Sequence, residues 1–152
     1  MKLSSIFLFL TCMFFSVGIT GQTKCDSLDP IVSRILNSSA DKEKNQIYIS
    51  DGQVYKAFIS DEDEAEFEAT LYGGSTYRIA GSAGTDDNYF VFEIYDKETP
   101  RNLLFSNADY ENSSYWDFKV ENTIDCYIIT KLDLTKKISG CTVMMIGFEK
   151  DN

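Results

Sequence analysis

The chain has 152 residues, with 24 acidic against 14 basic side chains, a formal charge of −10 and no histidine. The charge excludes a nucleic-acid binder or a ligand of anionic membranes, since both are built from Lys and Arg. The missing histidine excludes Ser-His-Asp and Cys-His catalytic sets and His-ligated zinc, which leaves catalysis chiefly to carboxylates.

The N-terminus reads as an export signal. Lys2 is followed by the apolar residues 6–15 and then by the small residues Ser16, Gly18 and Gly21. This three-part order, too short for a comfortable membrane span, is that of a secretory signal peptide covering residues 1–21. Cleavage after Gly21 takes 21 residues from 152, leaving 131 that start at Gln22, and the loss of Lys2 takes the charge to −11. That is one domain's worth of chain, with no membrane span in the mature part. A lipid anchor is not expected, because Cys12 lies inside the apolar stretch and Cys25 follows Gln-Thr-Lys. The protein is therefore expected in the periplasm or outside the cell.

Residues 22–45 are expected to form a Cys-containing helix and loop. Leu28, Ile31, Val32, Ile35 and Leu36 recur at helical spacing, and Asp26 or Ser27 can cap the start. Pro30 is tolerated in a first turn. The polar stretch 37–45 ends the pattern, and the helix reads as a lid over one end of a sheet structure.

From Gln46 to the end, residues 46–152, the period changes to two. Residues 46–50 and 53–59 flank a turn at Asp51-Gly52. Ala65, Phe67, Ala69 and Leu71 alternate with Glu66, Glu68 and Thr70, which describes a half-buried antiparallel strand with a wet acidic face. Gly73-Gly74 turns the chain into a strand at 76–80, and residues 81–88 are turn formers. Strands follow at 89–95, 102–106, 115–120, 126–134 and 141–148. The sum is an all-β fold, an antiparallel jelly-roll-like β-sandwich of about eight or nine strands with one short N-terminal helix. Aromatic residues, 14% of the chain, suit the space between two sheets.

Once Cys12 leaves with the signal, Cys25, Cys126 and Cys141 remain, an odd number in a compartment where disulfides persist. If residues 126–134 and 141–148 form one hairpin, Cys126 and Cys141 stand about 23 Å apart. A disulfide needs Cα atoms within about 7 Å. Cys25 is therefore expected to staple the N-terminal segment to the sheet, with Cys141 ahead of Cys126 as its partner. The remaining thiol reads as a small buried apolar side chain.

Four segments carry a family resemblance: LYGGSTYRI (71–79), YFVFEIYDKETPRNLLFSN (89–107), YWDFKVENTIDCYIIT (115–130) and SGCTVMMIGF (139–148). In their turn glycines and alternating aromatics they resemble the bacterial pre-peptidase C-terminal domain and its relatives. The chain also looks like small exported proteins of Bacteroidetes-type bacteria. The resemblance implies a jelly-roll-like sandwich serving as a non-catalytic module.

Three sets of residues could carry chemistry. The acidic run 61–68 offers oxygen ligands for calcium, or else forms a solvated strand face that guards an edge. Asp86, Asp87 and Asn88, with Asp96 or Asp109, form a second candidate calcium cluster in loops, although ordinary turn residues would look the same. Tyr110, Tyr115 and Trp116 with Asp109 and Asn112 have the composition of a sugar platform, in which rings stack on a pyranose and amides and carboxylates take hydroxyls. Trp116 also aligns with Phe118 and Val120 by period two, which points it into the core.

The expected function is a non-enzymatic, exported binding or accessory module of the cell envelope, monomeric, with a glycan or an envelope protein as partner. No cofactor is expected other than calcium. The alternatives are a carbohydrate-binding module using the exposed aromatics and a carboxylate-based hydrolase, for which no acid pair stands out.

Overall fold

The structure is a computed structural model that describes residues 25–38, 46–84 and 89–150. Residues 1–21, expected from the sequence to be an export signal, and residues 86–88 lie outside the described residues. Among the described residues, helix α1 (Asp29–Leu36) precedes nine strands. These are β1 (Tyr48–Ser50), β2 (Tyr55–Ser60), β3 (Ala65–Leu71), β4 (Ser75–Ser82), β5 (Phe90–Asp96), β6 (Leu103–Ser106), β7 (Tyr115–Val120), β8 (Ile124–Leu132) and β9 (Ser139–Glu149). A 3-10 turn, Asn107–Tyr110, links β6 to β7.

The strands form two antiparallel sheets. The first runs β1-β9-β4-β7, with β2 also on β9; the second runs β3-β8-β5-β6. β1 pairs with the C-terminal end of β9 (Ser50 opposite Gly147), and β2 with its N-terminal part (Tyr55 opposite Met144). The two are one edge strand broken at residues 51–54, where Gly52 has a φ of +86°. Four-on-four order with nearly every connection changing sheets is jelly-roll topology. The all-β sandwich expected from the sequence is the fold observed.

Alternation explains the layers. On the inner face of the first sheet Ile59, Tyr77, Ile79, Met144 and Ile146 meet Leu71, Phe90, Phe92, Ile94 and Ile128 of the second. Gly81 belongs to this inner row, and a Cβ there would lie 2.1 Å from the Phe90 ring, so its lack of a side chain makes room for that ring. The outer face of β4 and β9 is also apolar. Ala80, Val143 and Met145 pack there against Leu28, Val32 and Leu36. Both faces of these strands are covered, and they read as unbroken buried runs. Gly147 brings α1 close, since a Cβ there would lie 3.0 Å from Leu36.

Three expectations are corrected. Residues 126–134 and 141–148 do not form a hairpin: β8 and β9 lie in different sheets. The pairing Cys25–Cys141 is nevertheless the one formed, with an S–S distance of 2.05 Å and Cα atoms 5.2 Å apart, and Cys126 is the buried free thiol. The helix covers the outer face of the first sheet, not one end of the sandwich, because the second apolar row of β4 and β9 needs a cover. Its N-cap is Leu28, without a side-chain cap, so neither Asp26 nor Ser27 fills that role. No helix among the described residues is long and apolar enough to cross a membrane.

Candidate functional site

The aromatic residues singled out above fall in two places. Tyr115 and Trp116 are neighbours on β7 and point to opposite faces. Trp116 turns inward and packs on the core beside Phe105, with ring centroids 5.2 Å apart. Tyr110, from the 3-10 turn, closes over it at 4.2 Å and is 48% exposed. Tyr115 turns outward and stacks on the Arg78 guanidinium, 4.4 Å from the ring centre. Asn112 is buried and donates from Nδ2 to Asp133 (2.9 Å). Asp109 is exposed. Tyr110 and Trp116 are thus brought together, Tyr115 is not, and one face of Trp116 is already occupied by protein rings.

The acidic candidates are tied into turns and ion pairs. Asp96 accepts hydrogen bonds from the Asn102 backbone N–H (2.8 Å), the Asn102 amide (2.7 Å) and the Glu98 N–H (3.2 Å). The Asn102 bonds foremost hold its carboxyl below the usual carboxylate range. Asp96 therefore organises the β5–β6 turn, while Asp86, Asp87 and Asn88 lie outside the described residues. In the acidic run, Glu66 pairs with Arg101 (2.5 Å) and Glu68 with Lys97 (2.7 Å). Both cations also lie over the Tyr127 ring, at 3.9 and 5.0 Å. Among the described residues no group of three acidic or cysteine side chains is arranged to hold a metal.

The geometry draws attention to a different place, the open edge where β2 meets β3. Tyr55 packs edge-on against Phe67 (5.2 Å) and closes one part of this edge. Beside it, the break at residues 51–54 lifts the edge strand off β9 and leaves a cleft of about 600 Å³. Buried Leu71 and Ile146 contribute apolar lining, and Tyr55, Tyr77 and Phe148 contribute aromatic lining. Asp51, Gln53, Glu68 and Ser75 are polar residues of the lining, and Thr70 also borders it but turns its hydroxyl to Asp125 (2.6 Å). Tyr72, 63% exposed, also lines it.

The local bonds set the polarity of this cleft. Asp51 accepts from the Gln53 N–H (2.9 Å) and from the Tyr55 hydroxyl (3.1 Å). Burial, reinforced by the Asp51 carboxylate, pushes the Tyr55 hydroxyl up to about 12, so it stays a donor at neutral pH. The Tyr77 hydroxyl accepts the Tyr72 N–H (3.0 Å). Among the described lining residues there is no Lys or Arg. Glu68 is held by Lys97, which leaves Asp51 as the single acid of the lining outside a salt bridge.

A second groove, about 650 Å³, lies by Asn112 and the end of β8. Four of its five charged residues stand in ion pairs, Lys131 on Glu93 (2.8 Å) and Lys136 on Asp133 (3.4 Å), and the fifth is Glu111.

Sequence reasoning passed over Asp51, Gln53, Tyr55 and Phe148. The signal available was Asp51-Gly52, a turn pair placed inside what is otherwise one edge strand.

No protein-family model matches the chain. No curated protein matches it either. Among solved structures, it is similar to Aeromonas hydrophila PliG, a periplasmic lysozyme inhibitor of g-type lysozyme. The TM-score is 0.49 at 9% sequence identity, over 63% of this chain and 84% of that one.

Proposed function

We propose that this protein is an exported, non-enzymatic binding module of the cell envelope. The observation that carries the reading is the cleft at the β2–β3 edge, which has aromatic walls, a few polar groups and one carboxylate outside a salt bridge. Concave, mostly apolar surfaces with a few placed polar groups are where small ligands bind. Carboxylate-based hydrolysis needs two acids facing each other, and of the two acids in this lining, Asp51 and Glu68, the second is held in a salt bridge by Lys97. The buried free thiol is held far from reactivity, with burial pushing it up to about 11.

Export is supported by the pattern of residues 1–21 and by the Cys25–Cys141 disulfide, which suits an oxidising compartment. Kinship with pre-peptidase C-terminal domains is part of this reading, supported by the quoted segments and the shared sandwich architecture. The domain unit of the mature protein is residues 22–152, made of the helical cover and the sandwich.

The test is thermal melting of the exported, oxidised protein against glycans and envelope proteins, each with calcium and with chelator, beside assays for glycoside, ester and peptide hydrolysis. A ligand that binds only the folded state raises the melting temperature. A saturable rise without turnover supports the reading. Robust turnover of any of these substrates overturns it.

A further inference from the structure

We propose that the cleft lined by Asp51, Gln53, Tyr55, Tyr77 and Phe148 is the ligand site of this module and takes a neutral oligosaccharide. The proposal rests on the binding-module reading and names its ligand class.

Charge narrows the choice. With no Lys or Arg in the described lining and a net charge of −10, an anionic ligand meets only repulsion. A strongly cationic ligand is drawn by the net charge but finds in the lining only one carboxylate outside a salt bridge, Asp51. Glu68 is already held by Lys97, and both Asp51 oxygens already accept hydrogen bonds. A carboxylate in that state keeps acceptor capacity for further donors, such as sugar hydroxyls. Gln53 and Ser75 extend the same neutral, hydroxyl-matching chemistry along the lining.

Shape and rings point the same way. Sugars present C–H faces that pack on aromatic rings and hydroxyl edges that need polar partners. Tyr72 and Phe148 are 63% and 39% exposed and line the same space as the polar groups. The Tyr77 hydroxyl is an acceptor for the Tyr72 N–H, and its own proton has no acceptor among the described residues, so it can donate to a ligand. A volume of about 600 Å³ falls within the roughly 300–1,000 Å³ of small-ligand sites. The Tyr110–Trp116 pair is the weaker rival, because Trp116 spends its surface on Phe105 and Tyr110.

The experiment is a titration of the exported protein, followed by calorimetry and by the NMR signals of aromatic rings. The probes are neutral oligomers of glucose and of N-acetylglucosamine, with oligo-lysine and oligogalacturonate as charged counterparts. The expected result is saturable binding of a neutral oligomer that moves the Tyr72 and Phe148 ring signals. Asp51→Asn and Gln53→Ala, at exposed positions, are each expected to weaken it about tenfold, the worth of one good hydrogen bond, while Tyr110→Ala leaves it intact. The ring signals of the unaltered protein test the site even where a variant folds poorly.

Failure of every neutral oligomer to bind overturns the proposal. So does sugar binding lost in Tyr110→Ala but kept in Asp51→Asn. Binding of a charged oligomer alone overturns the ligand class and leaves the binding-module reading standing, whereas turnover of the sugar overturns both.

Discussion

Arg78 and Asp117 face each other across β4 and β7 as a two-pronged ion pair, Nε to Oδ1 at 2.6 Å and Nη2 to Oδ2 at 2.7 Å. The arginine has no solvent exposure, because it lies between the first sheet and α1. Its Nη1 donates to the Leu36 carbonyl (3.2 Å) and to the Ser38 carbonyl, at the end of the helix where carbonyls lack partners. The Tyr48 and Tyr115 rings lie on the guanidinium at 4.1 and 4.4 Å. Burial, the largest single influence, would lower the arginine's affinity for its proton; the hydrogen bonds and charge of Asp117 together with the neighbouring Tyr48 and Tyr115 outweigh it, and the group stays above its usual value. One side chain thus joins helix end, sheet and edge strand.

Removing either partner strands the other. Arg78→Ala is expected to cost about 3–5 kcal/mol, the range for breaking a buried pair. Arg78→Lys is expected to recover little, since an ammonium cannot fork onto both oxygens. Urea denaturation measures both, and a loss in Arg78→Ala under about 1 kcal/mol would show that the pair is not a structural anchor.

The disulfide acts at the same junction from the other end of the helix. It joins residues separated by 116 positions, so it removes much chain entropy from the unfolded state. Reduction is expected to lower stability by about 4 kcal/mol. Guanidinium denaturation with and without reductant reads this directly. An unchanged midpoint would mean that packing of Val32 and Leu36 alone holds the helix.

Period two told which way side chains point but not which strand lies beside them. The alternation at 65–71 located β3 and its acidic face, with Ala65 to Leu71 as observed. The same rule misled for residues 126–134 and 141–148, since two alternating strands in sequence look alike whether they pair or cross between sheets. Arg78 was invisible because a charged residue in a strand reads as solvent-facing, and the cover that buries it comes from a helix some forty residues earlier, about the sequence separation of 42 between Leu36 and Arg78. Tyr115 and Trp116 could have been separated from sequence alone, because adjacent residues of a strand cannot share a face. The cleft was out of reach, since Asp51, Leu71, Tyr77 and Phe148 meet only through the sheet order.

Trp116 and Tyr110 divide this aromatic edge into a partly buried, core-packed half and an exposed half. Trp116→Ala is expected to cost about 3–5 kcal/mol, because it opens a cavity against Phe105 and the core. Tyr110→Ala is expected to cost about 1 kcal/mol, as its ring is 48% exposed. Chemical denaturation ranks them, and the reverse order would put the structural weight on the 3-10 turn.

Asn107 continues the β5 ladder where β6 ends. It is fully buried; its Oδ1 accepts the Phe92 N–H (2.8 Å), and its Nδ2 donates to the Phe90 and Ser113 carbonyls (both 2.9 Å). Asn107→Ala leaves a buried N–H and two carbonyls without this partner, at an expected cost of about 2–4 kcal/mol. Hydrogen exchange at Phe92 checks the cause, and unchanged protection there would mean another acceptor takes over.

Stability on the alkaline side should fall in two stages. Burial raises the Cys126 thiol from 9.0 to about 11, and burial also raises Tyr48 and Tyr55 from 10.0 to about 12. In each case the folded state holds the proton more tightly than the unfolded chain. Their contribution is therefore fully present below the unfolded values and is lost as pH rises through the folded ones. The urea midpoint is expected to be insensitive to these three groups up to about pH 9, to decline first through Cys126, and to decline further above about pH 10 through the two tyrosines. Cys126→Ala lowers the whole curve by opening a small cavity, but it should remove the first stage and leave the second. A Cys126→Ala curve with the same shape as that of the unaltered protein would show that the thiol does not contribute.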